Sequence, residues 1–218
     1  MTTPHRPAPA TPRPLRRDAA QNREKLLRAA WEVFAELGPD AGVEEIAARA
    51  GVGMGTLYRR FPTKESLLAA LSDEILDSIL ACFRHAAEQQ PDELALEQAL
   101  WDTGAVLAVR HGWLTRLWAA IPPEADERRA ELLTLVGDLL ARARHAGRIR
   151  EDITLTDVYA CLLALRVLID DTEGQVPGVW RRHLAIVLAG FRPAAEPLAC
   201  PPIDDALLRA NTPEPHAQ

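Results

Sequence analysis

The chain has 218 residues, 48% hydrophobic and 26% charged, the balance of a folded globular protein rather than a disordered one. Its 25 basic and 31 acidic residues leave a net charge of −6, which excludes a histone-like basic coat. Three cysteines without paired spacing exclude a disulfide framework and a Cys/His metal quartet, and the absence of an apolar run near the ~18 residues of a membrane span or of a secretion signal's apolar segment makes the cytoplasm the expected setting.

Proline and charge mark the ends. Five of the 17 prolines fall in residues 1–14 and six in residues 193–218. A disordered Pro-rich arm is expected over 1–14 and a disordered Pro-rich tail over 193–218. Residues 1–68 carry 11 basic and 8 acidic side chains, while the remainder carries 14 and 23. A basic head on an acidic body suits an anionic partner for the head.

Between the ends the apolar period is helical. Leu26, Leu27, Ala30, Val33, Phe34 and Leu37 predict a helix over 17–37, stopped by Gly38-Pro39. Val43, Ile46, Ala47 and Ala50 predict a short helix over 43–50. After Gly51-Val52-Gly53 comes another over 54–60, closed by Pro62. Thr63 can cap a fourth helix ending near 87, although Ser66 is not the Glu or Gln of a full capping box. Further helices are expected at 92–110, 112–120, 124–146, 154–172 and 177–191. No segment alternates as a half-buried strand does, so the fold class is all-α.

Residues 43–61 have the build of a helix-turn-helix. Small alanines at 47, 48 and 50 let a second helix cross closely, and a glycine turn permits positive φ, with Val52 filling the angle. In the next helix only Leu57 is a clear core residue. The others offer hydroxyl, phenol and guanidinium groups, which suit phosphates and base edges.

The stretches NREKLLRAAWEVFAELG and VEEIAARAGVGMGTLYRRFPTKESLLAAL resemble the N-terminal domain of TetR/AcrR-family transcriptional regulators. Ile46-Ala47, Ala50-Gly51-Val52, Thr56-Leu57-Tyr58 and Phe61-Pro62-x-Lys64 stand at that family's spacing. The resemblance implies a three-helix DNA-binding head at 15–66 and a helical ligand-binding and dimerisation domain at 67–192. It further implies a homodimer on a palindromic double-stranded DNA operator, released by an unknown small-molecule effector, commonly as a repressor. Helix 54–60 becomes the recognition helix, with Gly53 and Met54 at its entry. Thr56 and Tyr58 then serve phosphates or a thymine methyl, Arg59 and Arg60 guanine edges, and Lys64 a phosphate. Arg16 and Arg17, with Arg13, are expected on an arm preceding the first helix. Gly42 and Gly53 depart from the family's usual Ser or Thr, which removes two hydroxyl donors.

For the body, Trp101, Leu107, His111, Trp113, Leu114, Leu117 and Trp118 are the candidate lining of a ligand cavity, with Arg110 beside His111. Val158, Leu162, Leu165, Ile169, Leu184, Val187, Leu188 and Phe191 are the candidate dimer interface. Cys82, Cys161 and Cys200 read as buried packing. No nucleophile elbow, zinc-protease helix or phosphate loop is present, so no enzyme, cofactor or metal is expected. The alternative function is a helical small-molecule-binding or scaffold protein without operator binding.

Overall fold

The computed structural model describes residues 13–38, 40–115 and 126–202, with side chains of the first helix described from Gln21 onward. Among the described residues there are eight helices and no strand. They are α1 Arg13–Leu37, α2 Val43–Ala50, α3 Met54–Arg60, α4 Lys64–Gln89, α5 Asp92–Ala108, α6 Asp126–His145, α7 Leu155–Thr172 and α8 Val179–Gly190. No helix among these residues is long and apolar enough to cross a membrane.

The expected helices from 43 to 60 stand unchanged, and those of the body agree within two residues at each end. The segment expected as a helix over 112–120 is helical at Leu114 and Thr115, and its remainder lies outside the described residues. The first helix differs. It starts at Arg13, four residues before the expected start. Pro14 sits in its first turn, where no intrahelical donor is required, so this proline begins a helix rather than preventing one. Arg13, Arg16 and Arg17 therefore belong to α1 and not to an arm before it.

Local signals explain the short elements. Gly51 takes the left-handed conformation at φ +67°. Val52 N–H bonds to the Ala47 carbonyl at 3.0 Å and Gly51 N–H to that of Ala48 at 3.1 Å, the paired closure that ends a helix on glycine. Gly53, by contrast, is extended at φ −73° and caps α3 without a side chain. At α4, Thr63 Oγ1 accepts from Ser66 N–H at 3.1 Å, and Thr63 N–H donates to Ser66 Oγ at 3.2 Å. Serine thus completes the reciprocal cap that the sequence was expected to lack.

Leu26, Ala30, Val33 and Phe34 of α1 bury against Ile46, Leu57 and Phe61 to form the head. Helix α4 runs from this head into the body, where Ile75, Ile79 and Phe83 join the core shared with α5 and α6. Behind them, Trp180 of α8 packs on Gly104 of α5. A Cβ at 104 would lie 2.3–2.9 Å from three ring carbons.

Two ion-pair systems close the far end. Glu97 of α5, buried, accepts from Arg148 Nε at 2.8 Å and from Arg192 Nη2 at 2.9 Å. Burial opposes the Glu97 charge, but the hydrogen bonds and charges of Arg192 and Arg148 prevail and hold its pKa below the usual value. Arg150 donates to the Glu196 carbonyl at 2.6 Å, and Leu198 N–H to Asp152 at 3.1 Å. Residues 193–202, the first part of the expected Pro-rich tail, are thereby tied to the loop before α7; the rest of that tail, and residues 1–12 of the expected arm, lie outside the described residues. A prolyl-rich segment lacks its own backbone ladder, but side chains elsewhere supply its partners.

Candidate nucleic-acid interface and its link to the body

Helix α3 is anchored at two points. Leu57 is 1% exposed and Phe61, at its C-cap, is also buried. Met54 packs partly against the core, and the helix's polar side chains lie toward its outer face. Tyr58 is 46% exposed, Arg59 and Arg60 are exposed, and Met54 and Thr56 are half-buried. One short helix therefore presents a phenol, a hydroxyl and two guanidiniums on a surface set by a single leucine.

The helix entries are bare, as the two glycines imply. Neither Gly42 nor Gly53 makes a side-chain cap. At Gly42 the carboxylates of Glu44 and Glu45 gather instead. A Cβ there would lie 2.7 Å from an oxygen of each. These carboxylates satisfy the positive end of α2 and add negative potential beside any phosphate approaching that corner. Arg49 turns from α2 to Glu36 of α1, at 2.6 and 3.0 Å, so it orients α2 instead of reaching outward.

Lys64 is less available than the sequence suggests. Its ammonium donates to the Ala41 carbonyl at 2.7 Å and lies 5.6 Å from the centroid of the Phe34 ring. The same charge thus braces the loop between α1 and α2, and an ammonium retains two further protons for a phosphate.

An aromatic cluster joins head to body. Trp113, fully buried, lies 4.6 Å from Trp31 and 4.9 Å from Phe34 between ring centroids. Trp31 Nε1 donates to Glu74 of α4 at 2.9 Å, and Arg110 covers the Trp31 ring at 4.9 Å. The next two residues are held from α7: Leu114 and Thr115 N–H donate to the two Asp170 oxygens at 2.9 and 3.0 Å.

A small cavity opens between α4, α5, α6 and α7. Ile79, Leu107, Leu132 and Leu162 form apolar walls, and Thr103, Tyr159 and Arg166 bring polar groups. Its free space is about 20 Å³, room for one water.

Residues 26–71 match the model described as bacterial regulatory proteins of the tetR family, and residues 95–193 match that of the SbtR-like transcriptional regulator C-terminal domain. The crystal structure of TetR transcriptional regulator SCO0520 from Streptomyces coelicolor is 32% identical, with a TM-score of 0.58 over 79% of this chain and 99% of that one. The chain belongs to the TetR family of transcriptional regulators. A TetR regulator from Mycobacterium vanbaalenii is similar at 28% identity and TM-score 0.53, over 83% of this chain and all of that one. An HTH-type transcriptional regulator of Staphylococcus aureus is 30% identical over 89 residues, 40% of this chain. The chain's match spans about half the length, 48%, of such curated relatives.

Within this TetR-family fold, the expected site residues separate. Of the proposed ligand residues that are described, only Leu107 lines the cavity. Trp113 and Leu114 belong to the head–body junction, while Trp101 packs 6.0 Å from Trp180. His111 Nδ1 contacts the Ala108 carbonyl at 2.9 Å, and Leu117 and Trp118 lie outside the described residues. The sequence reading missed Thr103, Tyr159, Arg166 and Asp170. A usable signal was present in one case: Arg166 is a lone charge within Cys161-Leu162-Leu163-Ala164-Leu165-Arg166-Val167-Leu168-Ile169.

The proposed interface residues also divide. Val158, Leu165, Ile169 and Leu184 are 0% exposed, and Leu188 and Phe191 are buried. These six face their own core, because the most apolar stripe of an amphipathic helix turns inward first. Leu162 and Val187 are half-buried. The outward faces of α7 and α8 carry exposed Ala164, Val167 and Ile186. Among the cysteines, burial pushes the Cys161 thiol up to about 11, whereas Cys200 is exposed, against the expectation of packing.

Proposed function

We propose that the chain is a ligand-responsive repressor that binds a near-palindromic operator as a homodimer in the cytoplasm, acting by binding rather than catalysis. The observation that carries this reading is the outward disposition of α3 around buried Leu57. Helix α3 enters the major groove, where Arg59 and Arg60 can each make a bidentate contact to guanine. Thr56 and Tyr58 serve the backbone, with Gly53 and Met54 at the approach, and Lys64 adds charge. Arg16 and Arg17 act from the first turns of α1. Residues 15–66 serve as head and 67–192 as body, with α4 common to both.

The dimer uses the outer faces of α7 and α8 around Val167 and Ile186. Val187 lies beside Ala164 and His183 in a shallow groove between the two helices. Two linked heads gain from effective concentration what one short helix cannot supply. Half-site centres stand about 34–36 Å apart or at a multiple of that spacing. The effector binds in the cavity of the body and favours a head spacing that no longer fits successive grooves, with a shift bounded by its differential affinity for the two states.

The test is an electrophoretic mobility shift with the DNA upstream of the chain's own gene. Specific retention should have a log affinity that falls linearly with log salt. A pure dimer that retains no duplex at low salt overturns the reading.

A further inference from the structure

We infer that the cavity between α4, α5, α6 and α7 takes an apolar organic anion, its charge on the Arg166 guanidinium and its body among Ile79, Leu107, Leu132 and Leu162. This rests on the reading of the body as an effector-binding domain and deepens it by naming the effector's charge class.

Three features of the cavity converge. The first is its polar lining. Arg166 and Tyr159 stand nearly two helical turns apart on α7, and Thr103 faces them from α5. No carboxylate is among the described lining residues. The second is an unsatisfied hydroxyl. Thr103 is 1% exposed and its Oγ1 makes no hydrogen bond of ordinary geometry. The Cys82 thiol beside it offers at most a weak one. A buried hydroxyl in that state costs stability until a ligand or water completes it.

The third feature is the local field. Both Arg129 and Arg166 act on the Tyr159 hydroxyl as positive charges. Burial keeps that phenol protonated, its pKa raised, so it can donate to an anion. Burial opposes the Arg166 charge and lowers its pKa, against the attraction of Asp170, one turn further along α7, so an anionic partner would offset that cost. The two oxygens of Asp170 accept from the Leu114 and Thr115 amides, and Asp170 is not among the residues that line the cavity. The Arg166 guanidinium, a phenol donor and a threonine hydroxyl among apolar walls, with Arg129 adding positive charge at the phenol, favour a negative head on an apolar body. The same field repels a cation. The cavity is narrow, so a ligand must part leucine side chains to enter, which apolar walls allow at the least polar cost.

The experiment uses the full chain and matched probes that differ in charge: 2-naphthoate, neutral 2-naphthamide and 2-naphthylmethylammonium, with octanoate and octanamide as an aliphatic pair. Binding is read by calorimetry and thermal shift. At least one carboxylate should bind about tenfold or more tighter than its amide, and the ammonium should bind weakest. Arg166→Gln should bring carboxylate and amide within about twofold of each other. Should that variant not fold, Tyr159→Phe and Thr103→Val carry the test, each weakening the carboxylate more than the amide. The inference is overturned if neither carboxylate outbinds its amide, if the ammonium binds as well as 2-naphthoate, or if both carboxylates fail to bind. Operator release separates the two readings. A neutral probe that binds and releases DNA keeps the ligand-responsive repressor and removes the anion site. A carboxylate that binds through Arg166 without affecting DNA keeps the anion site and removes ligand-responsive repression.

Discussion

The Trp113 indole lies 4.6 Å from the Trp31 indole, tilted by 53°, so a side chain of the body is built into the wall of the DNA-binding head. The adjoining amides of Leu114 and Thr115 are held by Asp170 of α7, four residues beyond Arg166 of the cavity. One route of contacts from cavity to head therefore runs Arg166, Asp170, Leu114, Trp113, Trp31, and a second runs along α4 from Ile79 to Glu74, which accepts from Trp31. Replacing Trp113 by Leu keeps an apolar filler but removes two aromatic contacts, each worth ~0.5–1.5 kcal/mol beyond area. The Trp113→Leu protein should melt earlier, bind operator DNA in the absence of effector, and respond less to effector. A double-mutant cycle of Trp31→Leu with Trp113→Leu should show a coupling of roughly 1 kcal/mol. A coupling of zero means that the two rings touch without transmitting anything.

Exposed Tyr58 and Arg59 should separate binding from folding. Both lie off the core, so Tyr58→Ala and Arg59→Ala should move stability by no more than ~0.5 kcal/mol. If Arg59 reads a guanine, its loss should weaken specific binding by ~1–3 kcal/mol and relax the preference at that base pair. If it contacts only phosphate, all sequences should weaken together and the salt slope should fall by about one. Competition binding with point-substituted duplexes distinguishes these outcomes. A cooperative loss of helical signal in either variant instead would place the side chain in the core.

The head was legible in the sequence because its signals are local. Leu57 between polar neighbours, Gly51 at a left-handed turn and Pro62 after Phe61 each set the backbone within a few residues. Lys64 was only partly legible: its place at the start of α4 follows from Thr63, but its bond to the Ala41 carbonyl joins positions 23 residues apart. The body failed in an instructive way. Trp101, Trp113 and Trp118 looked like one cavity wall because they share a stretch of sequence. Trp113 instead meets α1 and Trp101 turns to Trp180, and neither pairing has a periodic signature. The expected dimer stripe follows apolar periodicity, which marks a helix's inward face: Val158 and Leu165 lie in their own core, whereas Ala164 and Val167 are exposed.

Glu97 gives a pH prediction with a definite sign. Its folded-state pKa is depressed by Arg192 and Arg148 against the cost of burial. The stabilisation is therefore present above the unfolded value of ~4.3 and is lost as pH falls through the lower folded value. Glu97→Gln should cost about 2–3 kcal/mol at neutral pH. That is below the ~3–5 kcal/mol of a fully buried pair, because Arg148 and Arg192 remain 36% and 34% exposed and can rehydrate. The stability gap between the parent and Glu97→Gln should narrow steadily below about pH 4. Denaturant melts at pH 7 and pH 3 check this, and a gap that stays constant would show that the carboxylate's charge is not what joins α5 to the end of α8.

Gly104→Ala tests the packing that seats α8. In an exposed helix this change gains ~1 kcal/mol of helix propensity. Here the new methyl would stand 2.3–2.9 Å from three carbons of the Trp180 ring, and that ring is itself buried with Trp101 6.0 Å away. Overpacking a rigid core costs ~1–3 kcal/mol, so after the propensity gain the net change should be a destabilisation of up to about 2 kcal/mol. Trp180→Phe alone should also destabilise by leaving a void. Combined with Gly104→Ala it should cost less than the sum of the two, because the smaller ring admits the methyl. Since α8 carries Ile186 on its outer face, the single Gly104→Ala variant should also weaken self-association, read by sedimentation across a dilution series. A Gly104→Ala protein that melts later than its parent would mean that the Trp180 ring can step aside, and then α8 is not fixed in place by this contact.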